Sequence, residues 1–200
     1  MRLYRENLGM TVTNTYTVRG YAETILNSNE TDQTKALVRA MLVYGGAAQE
    51  YFKYNVNDLA GNGFENNAVV PTEANDILLK DNITGFNFYG ASMVYRNKNA
   101  VRFYFTGDAT GLKFAANSDA ITIGTKNDMT YVEIAEINPQ DIGNAIEVVV
   151  TAEDGKTLTV AYSPLNYIVR MYTKAGSSEE TKLLAQAMYG YYRAALAYLQ

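Results

Sequence analysis

The chain contains neither cysteine nor histidine in its 200 residues. Thiol nucleophiles, imidazole bases, disulfides and ordinary zinc, copper or haem sites are therefore excluded. Catalysis is left to carboxylates, hydroxyls, lysine and tyrosine. Two carboxylates roughly 5 to 10 Å apart can run glycoside hydrolysis without histidine. Yet nothing marks two of the 21 Asp and Glu as partners. Glu133 and Glu136 are three apart on an apparent strand, so their side chains should face oppositely. Oxygen ligands for calcium are offered by Asp58 in "NVNDLAGNG" and Asp108 in "TGDATG". Neither matches the spaced carboxylates of a calcium-binding loop, and turn chemistry alone accounts for Asn, Asp and Gly there. The expectation is a protein with no catalytic residues, no metal and no cofactor.

Aromatic recognition is the chemistry that remains. Tryptophan is absent while tyrosine reaches 17. Tyr89, Tyr95, Tyr104 and Tyr131 alternate with apolar neighbours such as Phe88, Val94, Phe103 and Val132. One sheet face carrying these phenols would stack on sugar rings, unless helices cover it. Arg102 and Glu133 share the same phase, so they either bond sugar hydroxyls or form a cross-strand ion pair.

The elements that must position these residues come in two copies. "LGMTVTNTYTVRGYAETI" lies over "DGKTLTVAYSPLNYIVRM", with Gly9 on Gly155, Thr11 on Thr157, Tyr16 on Tyr162 and Tyr21 on Tyr167. "TKALVRAMLVYGGAAQEYF" lies over "TKLLAQAMYGYYRAALAYL", with Leu37 on Leu184, Ala40 on Ala187, Met41 on Met188, Tyr44 on Tyr191 and Tyr51 on Tyr198. Order and spacing persist over about fifty residues, which is the mark of an internal duplication.

Each copy reads as hairpin, short helix, loop, long helix. Asp154-Gly155 between two Thr-rich apolar runs signals a hairpin. Ser163 before Pro164 reads as an N-cap with proline at the first helical position, and Ser177 or Ser178 caps the next helix, with Glu179 and Glu180 in its first turn. The expected stripes are Leu165, Ile168, Val169 and Tyr172, then Leu184, Ala187, Met188, Tyr191, Ala195 and Tyr198. In the first copy they are Val18, Tyr21, Ala22 and Ile25, then Leu37, Ala40, Met41, Tyr44, Ala48 and Tyr51. Recurrence of the tyrosines predicts Tyr44 and Tyr51 turned mostly into the core, with Gly45-Gly46 allowing a neighbouring element close.

Between the copies the pattern changes. Residues 55–82 are rich in Asn and Gly and read as a long connection with little regular structure. From Phe86 the period becomes two, in "FNFYG", "SMVYR", "AVRFYFT", "AITIG" and "TYVEIAEI", and "INPQDIGNAIEVVV" reads as a corner leading into a central strand. The predicted fold class is α+β, an antiparallel immunoglobulin-like β-sandwich over about Ile83 to Tyr162 flanked by two homologous helical hairpins. Residues 1–54 would be the tail of a preceding unit, and 83–200 the sandwich with the second helical hairpin. A chain that starts inside a unit suggests a fragment of a larger repetitive protein.

Net charge is −4, with no cluster of Lys and Arg, which disfavours nucleic acid as a partner. No run of about 18 apolar residues occurs, so membrane insertion is not expected. The opening "MRLYRENLGM" lacks the apolar core of a signal peptide.

The stretches "YTVRGYAETILN", "KALVRAMLVYGGAAQEYFKYN", "YGASMVYR" and "YVEIAEINPQDI" resemble a recurrent module of large secreted and cell-surface proteins of gut-dwelling anaerobic Gram-positive bacteria. In that module a "YSVRDYA"-like helix start and a "YGAAAQTYF"-like helix accompany a β-sandwich. The resemblance covers most of the chain. It implies export within a multi-domain polypeptide, beside adhesion-like, cellulosomal or carbohydrate-active modules, with polysaccharide or a surface protein as partner. It carries no catalytic or binding residues across. One departure is that the second long helix reads Gly190-Tyr191-Tyr192-Arg193 where the first has Tyr44-Gly45-Gly46-Ala47. The expected function is a non-catalytic extracellular module for adhesion or recognition. Its rival is a purely architectural spacer.

Overall fold

The computed structural model describes residues 17–74, 77–95, 99–119 and 121–200. The first hairpin, Leu3 to Tyr16, lies outside the described residues. Among the described residues, four α-helices and two four-stranded antiparallel sheets make a mixed α+β fold. Among the described residues, no helix is long and apolar enough to cross a membrane.

Helix α1, Val18–Leu26, starts on Thr17, whose side chain accepts from the Gly20 amide. Helix α2, Asp32–Phe52, starts on Thr31, whose hydroxyl accepts from the Thr34 amide at 3.1 Å. Helix α3, Pro164–Thr173, has proline in its first turn, where the missing N–H costs nothing. The side chain of its cap residue Ser163 makes no capping bond, and instead its hydroxyl donates to buried Asn166 Oδ1 at 2.8 Å. Helix α4, Glu179–Tyr198, starts on Ser178, whose hydroxyl accepts from the Thr181 amide at 3.2 Å. The caps of α2 and α4 are the same device at matching places in the two copies. Each stabilises its helix by about 1 kcal/mol.

One sheet has the order β1-β8-β7-β4, from Leu78–Lys80, Thr157–Tyr162, Ile146–Thr151 and Lys113–Ala116. Strand β1 falls inside the stretch 55–82, whose composition signals only a connection, and it is an edge strand that pairs Leu79 with Val160. Strand β4 carries no period-two pattern long enough to read. The other sheet has the order β2-β3-β6-β5, from Asn87–Val94, Ala100–Thr106, Met129–Ile134 and Ile121–Lys126. Alternation sends Val101, Phe103, Phe105, Val132 and Ile134 inward, where they meet Val148, Val150, Val160 and Tyr162 of the first sheet. Across the gap Phe103 and Tyr162 lie 6.2 Å apart edge to face, and Phe105 and Phe114 6.1 Å. Burying a Phe or Val side chain in this way stabilises the fold by about 1.5 to 3 kcal/mol each.

The core continues into the helices. Ile168 and Val169 of α3 and Leu184 and Met188 of α4 join the cluster that holds the sheet residues. Helix α2 packs along α4, where Tyr44 and Tyr191, equivalent positions of the two copies, stack with centroids 5.9 Å apart and planes 21° apart. At the ends of the two helices Lys53 Nζ donates to Glu180 Oε1 at 2.9 Å, which draws that carboxyl down to about 2. Helix α1 packs on the other side of α2 through Ala22, Val38 and Leu42.

Burial in α2 therefore departs from the single expected stripe. The buried residues are Val38, Leu42, Gly46 and Ala47, while Leu37, Ala40, Met41, Tyr44, Ala48 and Tyr51 are only half-buried. A helix held between two neighbours spreads its burial over two faces. In α1, Val18 and Tyr21 are exposed, and in α4 Tyr198 is exposed although its counterpart Tyr51 is not.

Among the described residues the connection after α2 has no helix or strand up to Ile77, yet it is tied down on both long helices. The Gln49 side chain donates to the carbonyls of Asn55 and Asp58 and accepts from the Ala60 amide. Asn66 donates to the Leu183 carbonyl and Gln186 donates to the Ala68 carbonyl, each at 2.8 Å.

Candidate functional site

The six residues singled out by type and phase separate into three groups. Strand register places Arg102 opposite Glu133 and Tyr104 opposite Tyr131, all on the outer face of the β2-β3-β6-β5 sheet. Their neighbours at the same level are Ser92 and Gly90 on β2 and Thr122 and Gly124 on β5. Tyr104 and Tyr131 are half-buried, with centroids 6.3 Å apart and rings tilted by 59°.

Arg102 sits with its guanidinium carbon 4.3 Å from the centroid of Tyr131 and donates from Nε to Glu133 Oε2 at 2.6 Å. Glu133 is only 7% exposed. Burial acts to lower the Arg102 pKa, but hydrogen bonds with Glu133 and Tyr104 outweigh it and hold the group above its ordinary value. A guanidinium stacked on a phenol and paired to a buried carboxylate loses most of its conformational freedom. A strand is a rigid base for such a cluster, and Gly124 sharpens its placing, because a Cβ there would come within 2.5 Å of the Tyr131 hydroxyl. The Tyr131 ring can lie flat across β5 only because that position is glycine.

Tyr89 and Tyr95 do not join this cluster. Tyr89 is the extra residue of a β-bulge between Phe88 and Gly90, and the residue is 70% exposed. A bulge adds one residue and breaks the alternation that placed Tyr89 in phase. Tyr95 follows the last residue of β2 and turns into the helices. Its hydroxyl lies 3.5 Å from Met171 Sδ and 3.4 Å from Met188 Sδ, and its ring meets Phe52 edge to face at 5.8 Å. Burial first, and then the neighbouring Tyr167, Tyr44 and Tyr51 phenols, push its pKa well up. It is a packing residue.

The remaining sequence candidates have local partners. Asp58 accepts from the Arg19 guanidinium. Asp108 Oδ1 accepts from the amide and the hydroxyl of Thr110, at 2.9 and 2.7 Å, and these bonds hold its carboxyl below the usual range. Among the described residues no group of three or more acidic side chains comes together as a metal cage would need. Glu136 lies beyond the end of β6 with φ 64°, so strand alternation does not govern its direction relative to Glu133.

A second concavity has no counterpart among the residues picked from the sequence. It is a cavity of about 650 Å³ between α2, α4 and the connection, floored by Ala40, Val43, Ala187 and Gly190 and flanked by Arg39 and Arg193. Repeat equivalence pairs Ala40 with Ala187 and Val43 with Gly190, so the floor straddles the line where the two copies meet. The sequence signal was present in that small-residue pairing, but only helix packing shows that it leaves a hollow.

Searches against family models, curated proteins and solved structures returned no match to this chain.

Proposed function

We propose that the chain is a non-catalytic extracellular module of a larger secreted or surface protein, and that it recognises polysaccharide on the outer face of the β2-β3-β6-β5 sheet. In this reading the two sheets form an immunoglobulin-like sandwich, and α1–α2 and α3–α4 are homologous helical hairpins beside it. The observation that carries the proposal is the pair Tyr104 and Tyr131, 6.3 Å apart on a sheet face and braced by Arg102 and Glu133. Phenol faces offer stacking surfaces to the C–H faces of sugars, and a charge pair fixed beside them can bond hydroxyls without ordering on binding. Export and surface location rest on the resemblance of the helix motifs.

The test is affinity electrophoresis of the protein in gels containing soluble plant and microbial polysaccharides. At least one polysaccharide should retard the parent chain, and Tyr104→Ala with Tyr131→Ala should abolish the retardation while the circular dichroism stays unchanged. Absence of retardation by every polysaccharide would reject recognition and favour the architectural role. That second reading draws on the Arg102–Glu133 pair being satisfied within the sheet and on Tyr95 being packed under α3 and α4.

A further inference from the structure

The 650 Å³ cavity between the helices has walls of two kinds. Its floor of alanine, valine and glycine offers no side-chain hydrogen-bonding group, so it suits apolar matter. Its rim carries Arg39 and Arg193, and neither makes an ion pair among the described residues. Glu65, the carboxylate in the lining, accepts from Asn67 at 3.2 Å. In a chain of net charge −4, two unpaired arginines on one hollow mark a local reversal of sign.

The third wall decides the shape of the ligand. Residues 65–70 belong to neither sheet, yet their burial alternates as in a strand. Asn66, Ala68 and Val70 turn inward, whereas Glu65, Asn67 and Val69 face out, Val69 at 86% exposure. The Ala68 carbonyl accepts from Gln186 and the Asn66 side chain donates to the Leu183 carbonyl, which pins the segment to α4. In extended backbone the amide and carbonyl of alternate residues point to opposite edges, so those of Asn67 and Val69 present the other edge. Among the described residues they make no hydrogen bond. A segment that alternates in this way and leaves one edge free is a template for strand addition.

The geometry points to this cavity as the docking site of an extended polypeptide segment that alternates apolar and acidic residues. The segment would pair along Asn67 and Val69, set its apolar side chains on Ala40, Val43, Ala187 and Gly190, and place carboxylates on Arg39 and Arg193. The site is separate from the outer sheet face in both place and ligand class.

The test uses the full chain labelled with 15N and three synthetic decapeptides, in which valine and leucine alternate with glutamate, with lysine, or with serine. The glutamate peptide should shift the amide signals of Asn67, Val69, Ala40 and Ala187 and slow amide exchange at Asn67 and Val69. The lysine peptide should bind at least tenfold more weakly, and Arg39→Glu combined with Arg193→Glu should reverse that order. A glutamate peptide N-methylated on alternate bonds removes strand pairing without altering the protein, and it too should lose at least tenfold in affinity. The inference is overturned if no peptide shifts these amides at millimolar concentration. Equal binding of the three peptides, or unimpaired binding of the methylated one, overturns it as well.

Discussion

Tyr162 carries the plainest residue-scale conflict in the molecule. Its ring fills the core against Phe103, but its hydroxyl is buried without a hydrogen-bond partner among the described residues. Burial pushes its pKa up to about 12, against the opposing pull of the neighbouring Arg170. An unpaired buried hydroxyl costs about 1 to 3 kcal/mol. Removing it should therefore be harmless, and Tyr162→Phe is expected to be equal to the parent or up to about 1 kcal/mol more stable in urea unfolding. A clear loss of stability would mean that water or Arg170 satisfies the hydroxyl in solution. Arg102 and Glu133 were readable as a pair because strand phase survives on β3 and β6. Tyr95 was not readable, because phase has no meaning one residue past the end of a strand, and Tyr89 was misplaced by a bulge that leaves no mark in the local sequence.

Among elements, the connection after α2 shows how close approach replaces regular structure. Gly46 touches Gly61, where a Cβ added to Gly61 would lie 2.9 Å from both the Leu42 carbonyl oxygen and Val43 Cα. These are backbone atoms of α2 and cannot swing aside. Gly61→Ala must push the connection off the helix, and the expected loss is about 1 to 3 kcal/mol. Urea unfolding with an unchanged slope would measure it, and a loss below a few tenths would show that the contact is loose. The Gly45-Gly46 pair predicted a close neighbour but could not name it, since the partner lies 15 residues on, in a stretch without periodicity. The helices, the serine cap of α4 and the long strands were legible because each rests on spacing within one element. Edge strand β1 and short β4 were not, because three or four residues are too few for a period to declare itself.

On the scale of the whole molecule, phenols gather where the helices meet the sheets. Burial raises the pKa of Tyr44, Tyr95, Tyr162, Tyr167 and Tyr191. Each is neutral when folded at a pH where the unfolded chain would already release its proton. The unfolded state then binds fewer protons, so stability is full below about pH 10 and falls as pH rises beyond it. Urea unfolding from neutral pH upward should show this decline, with tyrosinate absorbance appearing together with loss of structure. A curve flat above pH 10 would indicate that the rings ionise while folded. Tyr44 and Tyr191, which align when the two long-helix sequences are laid over each other, stack ring on ring. By itself the sequence determined the helices and the longer strands, the hairpin at Asp154-Gly155, the serine cap of α4 and the exclusion of thiol and imidazole chemistry, because these follow from composition and short-range spacing. Only the tertiary structure decided which phenols share a face, which face of α2 is covered, and where two small-residue helices leave a cavity, because each depends on contacts between residues far apart in the chain.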